Sequence, residues 1–273
     1  MDLSNENIVH IKKEGIEYIQ FRRLLEFPEI KHAYVIGLDK DYKIYSNPNK
    51  EEELKNEEAK SNYKKICDEL NIEYNDIINT MQNHTDNIKI INEKINKDKP
   101  DFNLYENTDG LITNKNGLAL ATINADCILI IIYDPIKKVI ANVHSGWRGT
   151  LKRIAEKTVK KMMEEYDCNP EDIICCMSPS IRKDHFEVDE DVYKLFFEEF
   201  KNLKHLENIF EQKNDKWHID TILINREILK TQGLKEENII DSEICSVCNK
   251  DIIHSYRAHG KDAGRATQII SIS

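Results

Sequence analysis

Apolar positions along this chain cluster in short blocks, and the densest lies at residues 117–150, GLALATINADCILIIIYDPIKKVIANVHSGWRGT. Residues 118–123 are apolar behind Gly117, and Asn124, Ala125 and Asp126 interrupt them. Residues 127–133 form the longest apolar run, β-branched and aromatic, of strand rather than helix length. Asp134-Pro135 marks a turn, and residues 139–143 return as the second strand of a hairpin. Beyond it, a small-residue loop leads to a helix for which Thr150 is a suitable N-cap. Leu151, Ile154, Ala155, Thr158, Val159 and Met162 then recur at helical spacing as one apolar stripe.

The hairpin register carries a chemical expectation. A four-residue loop at 134–137 pairs Tyr133 with Lys138, and therefore Cys127 with His144. Directly opposed residues have Cβ atoms roughly 4.5–5.5 Å apart on one face, so a thiol and an imidazole would converge. Taken alone, a buried core thiol beside a loop histidine is the simpler reading, because cysteine is among the most buried residue types. The neighbouring loop shifts the balance. Ser145-Gly146-Trp147-Arg148-Gly149-Thr150 combines close-approach glycines with an arginine before a helix, a pattern suited to an anion.

The remaining pattern is a mixture of strands and helices. Strands are expected at 8–12 and 16–21 as a hairpin, at 34–38, 77–84, 87–91, 108–113, 172–177 and 217–221, and at 264–270. Helices are expected at 51–70, with Leu54, Ala59, Tyr63, Ile66 and Leu70 on one side, at 192–200, and through Leu229. His84 falls at a strand-to-turn junction. No repeat, low-complexity linker or internal boundary divides the chain, so one domain over residues 1–273 is expected.

A net charge of −10 argues against a non-specific nucleic-acid binder, which needs a basic face, while leaving room for a local basic pocket. No apolar run is long enough to span a bilayer. MDLSNENIVH lacks the basic and apolar regions of a secretory signal, and seven cysteines, an odd number, point to reduced thiols. The expectation is a cytoplasmic protein without nucleic-acid, membrane or protein partners. His205-Leu206-Glu207, with Cys245-Ser246-Val247-Cys248, is similar to the H-x-E…P-C-x-x-C pattern of zinc nucleobase deaminases. Ile244 replaces the proline and His205 lies in a solvated run, so the pattern is read as coincidental.

A larger set of motifs points elsewhere. Ala125-Asp126-Cys127 and His144-Ser145-Gly146-Trp147-Arg148-Gly149 resemble the A-D-C and H-x-G-W-R-G motifs of the YfiH, or laccase-domain, family. In order around them, Gln82-Asn83-His84 resembles Q-x-H, and Thr108-Asp109-Gly110-Leu111-Ile112-Thr113 resembles A-D-A-hydrophobic-x-T. Ser178-Pro179-Ser180-Ile181 with Phe186-Glu187-Val188 resembles G-P-x-I…F-E-V, and Cys245 with His254-Ser255-Tyr256-Arg257 and Gly264-Arg265 resembles C…F-S-x-R…G-R. The resemblance spans Gln82 to the C-terminus. The family's F-S-T-R segment is absent after His32, Ser46-Asn47-Pro48 stands for S-L-N, and Asn62-Tyr63 stands for N-R.

The resemblance implies an α+β fold: a single-domain sandwich of mixed β-sheets with flanking helices. It implies that His84, Cys127 and His144 bind zinc, leaving one tetrahedral position open. It implies purine nucleoside chemistry: phosphorolysis of adenosine, inosine, guanosine or methylthioadenosine, and deamination of adenosine. Small-molecule nucleoside and phosphate are then the partners. Phosphate is expected against Arg148, Ser145 and Gly146, with Arg257 as a second anion contact and Asp126 as acid, base or loop holder. The missing N-terminal arginines make phosphorolysis the more fragile activity. Three alternatives stand beside this reading. One is a copper polyphenol oxidase, although a single His2Cys set falls short of a laccase's several copper clusters. Another is a cysteine hydrolase or deamidase using Cys127 and His144. The third is a non-catalytic zinc-binding protein.

Overall fold

A computed structural model describes residues 2–93 and 103–273; Met1, and residues 94–102 within the expected single domain, lie outside the described residues. Among the described residues the strands are β1 (Ile8–Lys13), β2 (Ile16–Phe21), β3 (Ile30–Ile36), β4 (Ile77–Met81), β5 (Ile88–Ile90), β6 (Asn103–Glu106), β7 (Gly110–Thr113), β8 (Ala119–Asn124), β9 (Ile128–Asp134), β10 (Val139–Ser145), β11 (Ile174–Met177), β12 (Glu187–Val188), β13 (Phe210–Lys213), β14 (Lys216–Ile219), β15 (Ile239–Asp241) and β16 (Ala266–Ile272). The helices are α1 (Arg22–Leu25), α2 (Lys50–Leu70), α3 (Trp147–Leu151), α4 (Ile154–Tyr166), α5 (Glu190–Phe200), α6 (Leu206–Ile209), α7 (Thr221–Thr231) and α8 (Tyr256–His259). They build a mixed α+β fold with three sheets, ordered β1-β2-β3-β16-β8-β4-β6, β15-β11-β9-β10-β7-β5 and β12-β14-β13.

The central hairpin explains its own apolar run. Leu129, Ile131 and Tyr133 of β9 pack toward the first sheet, with Leu120 and Ile270. Ile128, Ile130 and Ile132 face the other way, against Ile154, Val159 and Met162 of α4 and Leu229 of α7. Both faces are buried, so strand alternation leaves no polar trace in the sequence. Each such side chain contributes ~1.5–3 kcal/mol on burial. The far face of the first sheet is covered by α2, through Ala59, Tyr63, Ile66 and Cys67.

The hairpin register differs from the expected one. Asp134 pairs with Val139, and His144 pairs with Leu129 rather than Cys127. Asp134 is the cause: its Oδ1 accepts the N–H groups of Ile136 and Lys137 at 2.8 and 2.9 Å, so the turn begins only after it. Lys138 closes the turn with a φ of 54°. The offset is an even number of residues, so Cys127 and His144 keep the same face as diagonal rather than direct neighbours.

Three further expectations are corrected. Thr150 does not cap the long helix but lies inside α3, and the apolar stripe begins at Ile154 behind a left-handed Arg153. Leu54 is 73% exposed, because the first turns of α2 cover the segment before the helix instead of the sheet. There Asn56 exchanges two hydrogen bonds with the backbone of Tyr45, at 2.8 and 2.9 Å. The strand expected through residue 221 ends at Ile219, where Asp220 caps α7 by accepting the Leu223 N–H at 2.8 Å.

Candidate metal centre

Three chain segments meet at one end of the space between the two large sheets. His84 follows β4 on a turn with a φ of 57°, Cys127 immediately precedes β9, and His144 is the penultimate residue of β10. Their ligand atoms all lie within 4.8 Å of one another. Cys127 Sγ is 3.8 Å from His84 Nε2, and the two imidazole rings stand edge to face with centroids 4.9 Å apart. A thiol and two imidazoles are the donor set of zinc or copper. Gly146 makes room for this set: a Cβ there would sit 2.7 Å from His84 Cδ2, 3.1 Å from Cys127 Sγ and 3.3 Å from His144 Cε1. The residues fit a small ion bound among them.

One buried carboxylate holds both histidines. Asp109 accepts the backbone N–H groups of Asn83, His84 and Thr85 at 3.2, 3.1 and 2.8 Å, and the Thr85 hydroxyl at 2.6 Å. It also pairs with His144 Nδ1 at 2.8 Å, which turns Nε2 of that ring toward the cluster. A carboxylate behind a ligating histidine fixes its tautomer and raises its basicity. Burial opposes charge on both Cys127 and His144, yet their mutual attraction outweighs it. The thiol is held down at about 6, by the His144 charge and hydrogen bonds from both histidines. The imidazole is pushed up to about 9 by the Cys127 thiolate and by Asp109. Their mutual attraction thus favours the thiolate and the imidazolium over the neutral pair.

The cluster opens into a cavity of about 810 Å³, of the size that takes a small organic ligand. Its walls include Asp126, Ser145, Arg257 and Arg265. Asp126 has both carboxylate oxygens engaged, accepting from Ser246 Oγ and from the Arg257 backbone N–H, each at 2.6 Å. Its φ of 87° is a strained value for a residue with a side chain. Ser145 Oγ lies 3.0 Å from Thr150 Oγ1, and Gly146 is the N-cap of α3. Arg257 donates one guanidinium bond, 3.1 Å, to the Glu187 carbonyl. Arg148, expected at the anion site, is exposed, with its guanidinium carbon 4.0 Å from the centroid of the Trp147 ring, and is not part of the cavity wall. His205, from the rival pattern, is exposed at the start of α6.

Residues 42–273 match the family described as multi-copper polyphenol oxidoreductase laccase. The chain belongs to this laccase-like, YfiH family. Among its relatives, the chain is 31% identical over 200 residues to an adenosine deaminase, RL5, of an unknown prokaryotic organism, across 72% of this chain and 75% of that one. It is 31% identical over 218 residues to a purine nucleoside phosphorylase of Clostridium acetobutylicum, across 80% and 85% of the two chains. It is 32% identical over 169 residues to one from Bacteroides thetaiotaomicron, across 62% of each. The match therefore spans less than two thirds of that last protein. The fold is similar to the crystal structure of the hypothetical protein YfiH from Bacillus licheniformis, with a TM-score of 0.84 at 21% identity over 98% of this chain and 100% of that one.

Within this laccase-like chain, sequence reasoning missed Asp109. The Thr108-Asp109-Gly110 segment belongs to a motif visible in the sequence, but nothing in its spacing tells that one aspartate reaches both His84 and His144. The same holds for Gln82. Its side-chain amide pairs with Ile123, donating to the carbonyl at 2.6 Å and accepting the N–H at 2.8 Å, which extends β4 toward β8 just before His84.

Proposed function

We propose that this laccase-like protein is a zinc-dependent purine nucleoside enzyme that deaminates adenosine and, less robustly, cleaves purine nucleosides with phosphate. The reading rests on one observation: the His84, Cys127 and His144 donors converge in the wall of a cavity of small-molecule size. The relatives named adenosine deaminase and purine nucleoside phosphorylase supply the substrate class. Bound among these three side chains, zinc would supply Lewis acidity and, at neutral pH, a nucleophile drawn from water.

The chain's own residues do the rest. Asp109 keeps His144 oriented, with Nδ1–H donating to the carboxylate and Nε2 free to ligate. Tyr45, Phe186 and Tyr256 line the cavity and offer aromatic surface to a purine. Arg257 and Arg265 line it as well, and serve as the phosphate contacts in place of Arg148. Asp126, with both oxygens engaged, holds the loop before Cys127 rather than carrying a proton. A phosphate cradle without the family's N-terminal arginines is weaker, which favours deamination, the reaction that needs only water.

Product chromatography tests this. Adenosine without phosphate should give inosine, and free base should appear only when phosphate is added. Metal-loaded protein that yields no purine product under either condition would refute the proposal. One observation favours a second reading: Cys127, His144 and Asp109 also stand in the thiol–imidazole–carboxylate order suited to a cysteine hydrolase. That chemistry has no use for His84, and activity that persists in metal-stripped protein would select it.

A further inference from the structure

The Cys245-Ser246-Val247-Cys248 spacing finds a partner that the sequence did not suggest. It is not His205 but His185, on the turn that follows Ser180-Ile181. We propose that His185, Cys245 and Cys248 form a second metal site, which takes zinc or another thiophilic divalent ion and clamps together the two turns that hold Asp126.

The geometry carries this. One ligand atom from each of the three residues lies within 4.8 Å of the others, and His185 Nε2 is 3.2 Å from Cys248 Sγ. Metal bonds of about 2.0–2.3 Å in a tetrahedron place ligand atoms roughly 3.5–3.8 Å apart, so small side-chain adjustments suffice. A C-x-x-C turn is the usual way for one short segment to present two thiolates to zinc, and here the turn is well formed. The Cys245 carbonyl accepts both the backbone N–H and the side-chain amide of Asn249, at 3.1 and 2.9 Å. Two thiols and one imidazole select a soft, thiophilic ion over magnesium or calcium. Cys245 is buried and His185 half-buried, whereas Cys248 is exposed and leaves the fourth position open to solvent.

The site also has a structural task. The turn bearing His185 and the turn bearing the cysteines are already stitched by Ser180 N–H to Ile244 O at 3.2 Å and Ser246 N–H to Ser180 O at 3.0 Å. Both reach Asp126. Ser246, between the two cysteines, donates to its carboxylate at 2.6 Å, and Ile181 N–H donates to its carbonyl at 2.8 Å. An ion joining the turns therefore braces the residue next to Cys127 without touching the first cluster.

Zinc stoichiometry on the full chain, reconstituted under reducing conditions and measured by elemental analysis, decides the matter. The wild type should hold about two zinc ions per chain, one in each cluster. Cys127→Ala should keep the second ion, and Cys248→Ser should keep only the first. Cys248 is exposed, so its loss leaves the fold intact, and His185→Ala should give the same stoichiometry as Cys248→Ser. With cobalt as the probe, thiolate charge-transfer absorption should survive in Cys127→Ala and fall in Cys248→Ser. The proposal is overturned if Cys127→Ala binds no zinc. It is also overturned if Cys248→Ser and His185→Ala match the wild type, or if Cys245 and Cys248 are found joined as a disulfide in the reduced preparation.

Discussion

Replacing Gly146 with alanine puts one methyl group where three side chains meet. The backbone there, at φ −66° and ψ 171°, accepts any residue, so the consequence is steric rather than conformational. The new Cβ would lie 2.7 Å from His84 Cδ2 and 3.1 Å from Cys127 Sγ. Without metal, half-buried His84 can rotate away and the strain relaxes. With metal, each ligand atom is pinned about 2.0–2.3 Å from the ion, so the strain persists in the bound state alone. Overpacking of this kind costs ~1–3 kcal/mol. At ~1.4 kcal/mol per tenfold, zinc affinity at the first cluster should fall ~5- to 150-fold. Competition with a chromophoric chelator, in a Cys248→Ser background that isolates this cluster, measures it, and denaturant unfolding of the metal-free variant should change far less. Wild-type zinc affinity in Gly146→Ala would refute the assignment of these three side chains as a ligand set.

Other changes separate the roles of neighbouring groups. Asp109→Asn keeps an acceptor but loses the charge behind His144, and zinc affinity at the same cluster should drop ~10- to 100-fold in the same competition assay. Arg257→Ala should raise the KM for phosphate in nucleoside cleavage and leave zinc bound, while Arg148→Ala, outside the cavity wall, should leave that KM close to wild type. His32 gives a pH signature. Burial lowers its imidazole to about 3, and its Nε2 accepts the Phe21 N–H at 2.8 Å, a bond that only the uncharged nitrogen can make. The folded state thus binds fewer protons than the unfolded chain. This contribution to stability is full above pH ~6.5, the unfolded value, and is lost as pH falls toward about 3. It amounts to at most ~5 kcal/mol, from ~1.4 kcal/mol per pKa unit. Urea unfolding of His32→Gln should show a flatter acid limb than the wild type, and parallel limbs would contradict the reasoning.

Much of the fold was legible because local signals and tertiary packing agree. The central hairpin, the α4 stripe and the closing strand follow from apolar runs and spacing. The hairpin register did not, because Asp134 serves as the last strand residue and the turn's hydrogen-bond acceptor at once, a choice the Asp-Pro pair leaves open. Leu54 was misplaced because periodicity identifies a helical face but not what lies beneath it. At the site, His84, Cys127 and His144 came from ordered motifs, and the structure brings them together from three separate segments. Arg148 looked like an anion contact from its glycine-flanked loop, yet its stacking on Trp147 depends on the direction of α3, which sequence does not fix. Asp109 lies in a recognisable motif, but its reach to His84 and His144, like that of His185 to Cys248, spans sequence separations that no local pattern encodes.

On the proposed function, purine nucleoside turnover depends on an ion held by His84, Cys127 and His144. The direct measurement is adenosine turnover in one preparation, first stripped of metal and then titrated with zinc, beside His144→Ala treated identically. Inosine formation that disappears on stripping and returns as the first cluster fills, with none from His144→Ala at any zinc level, is the predicted result. Undiminished turnover in the stripped protein, or none in fully reloaded wild type, would contradict the account.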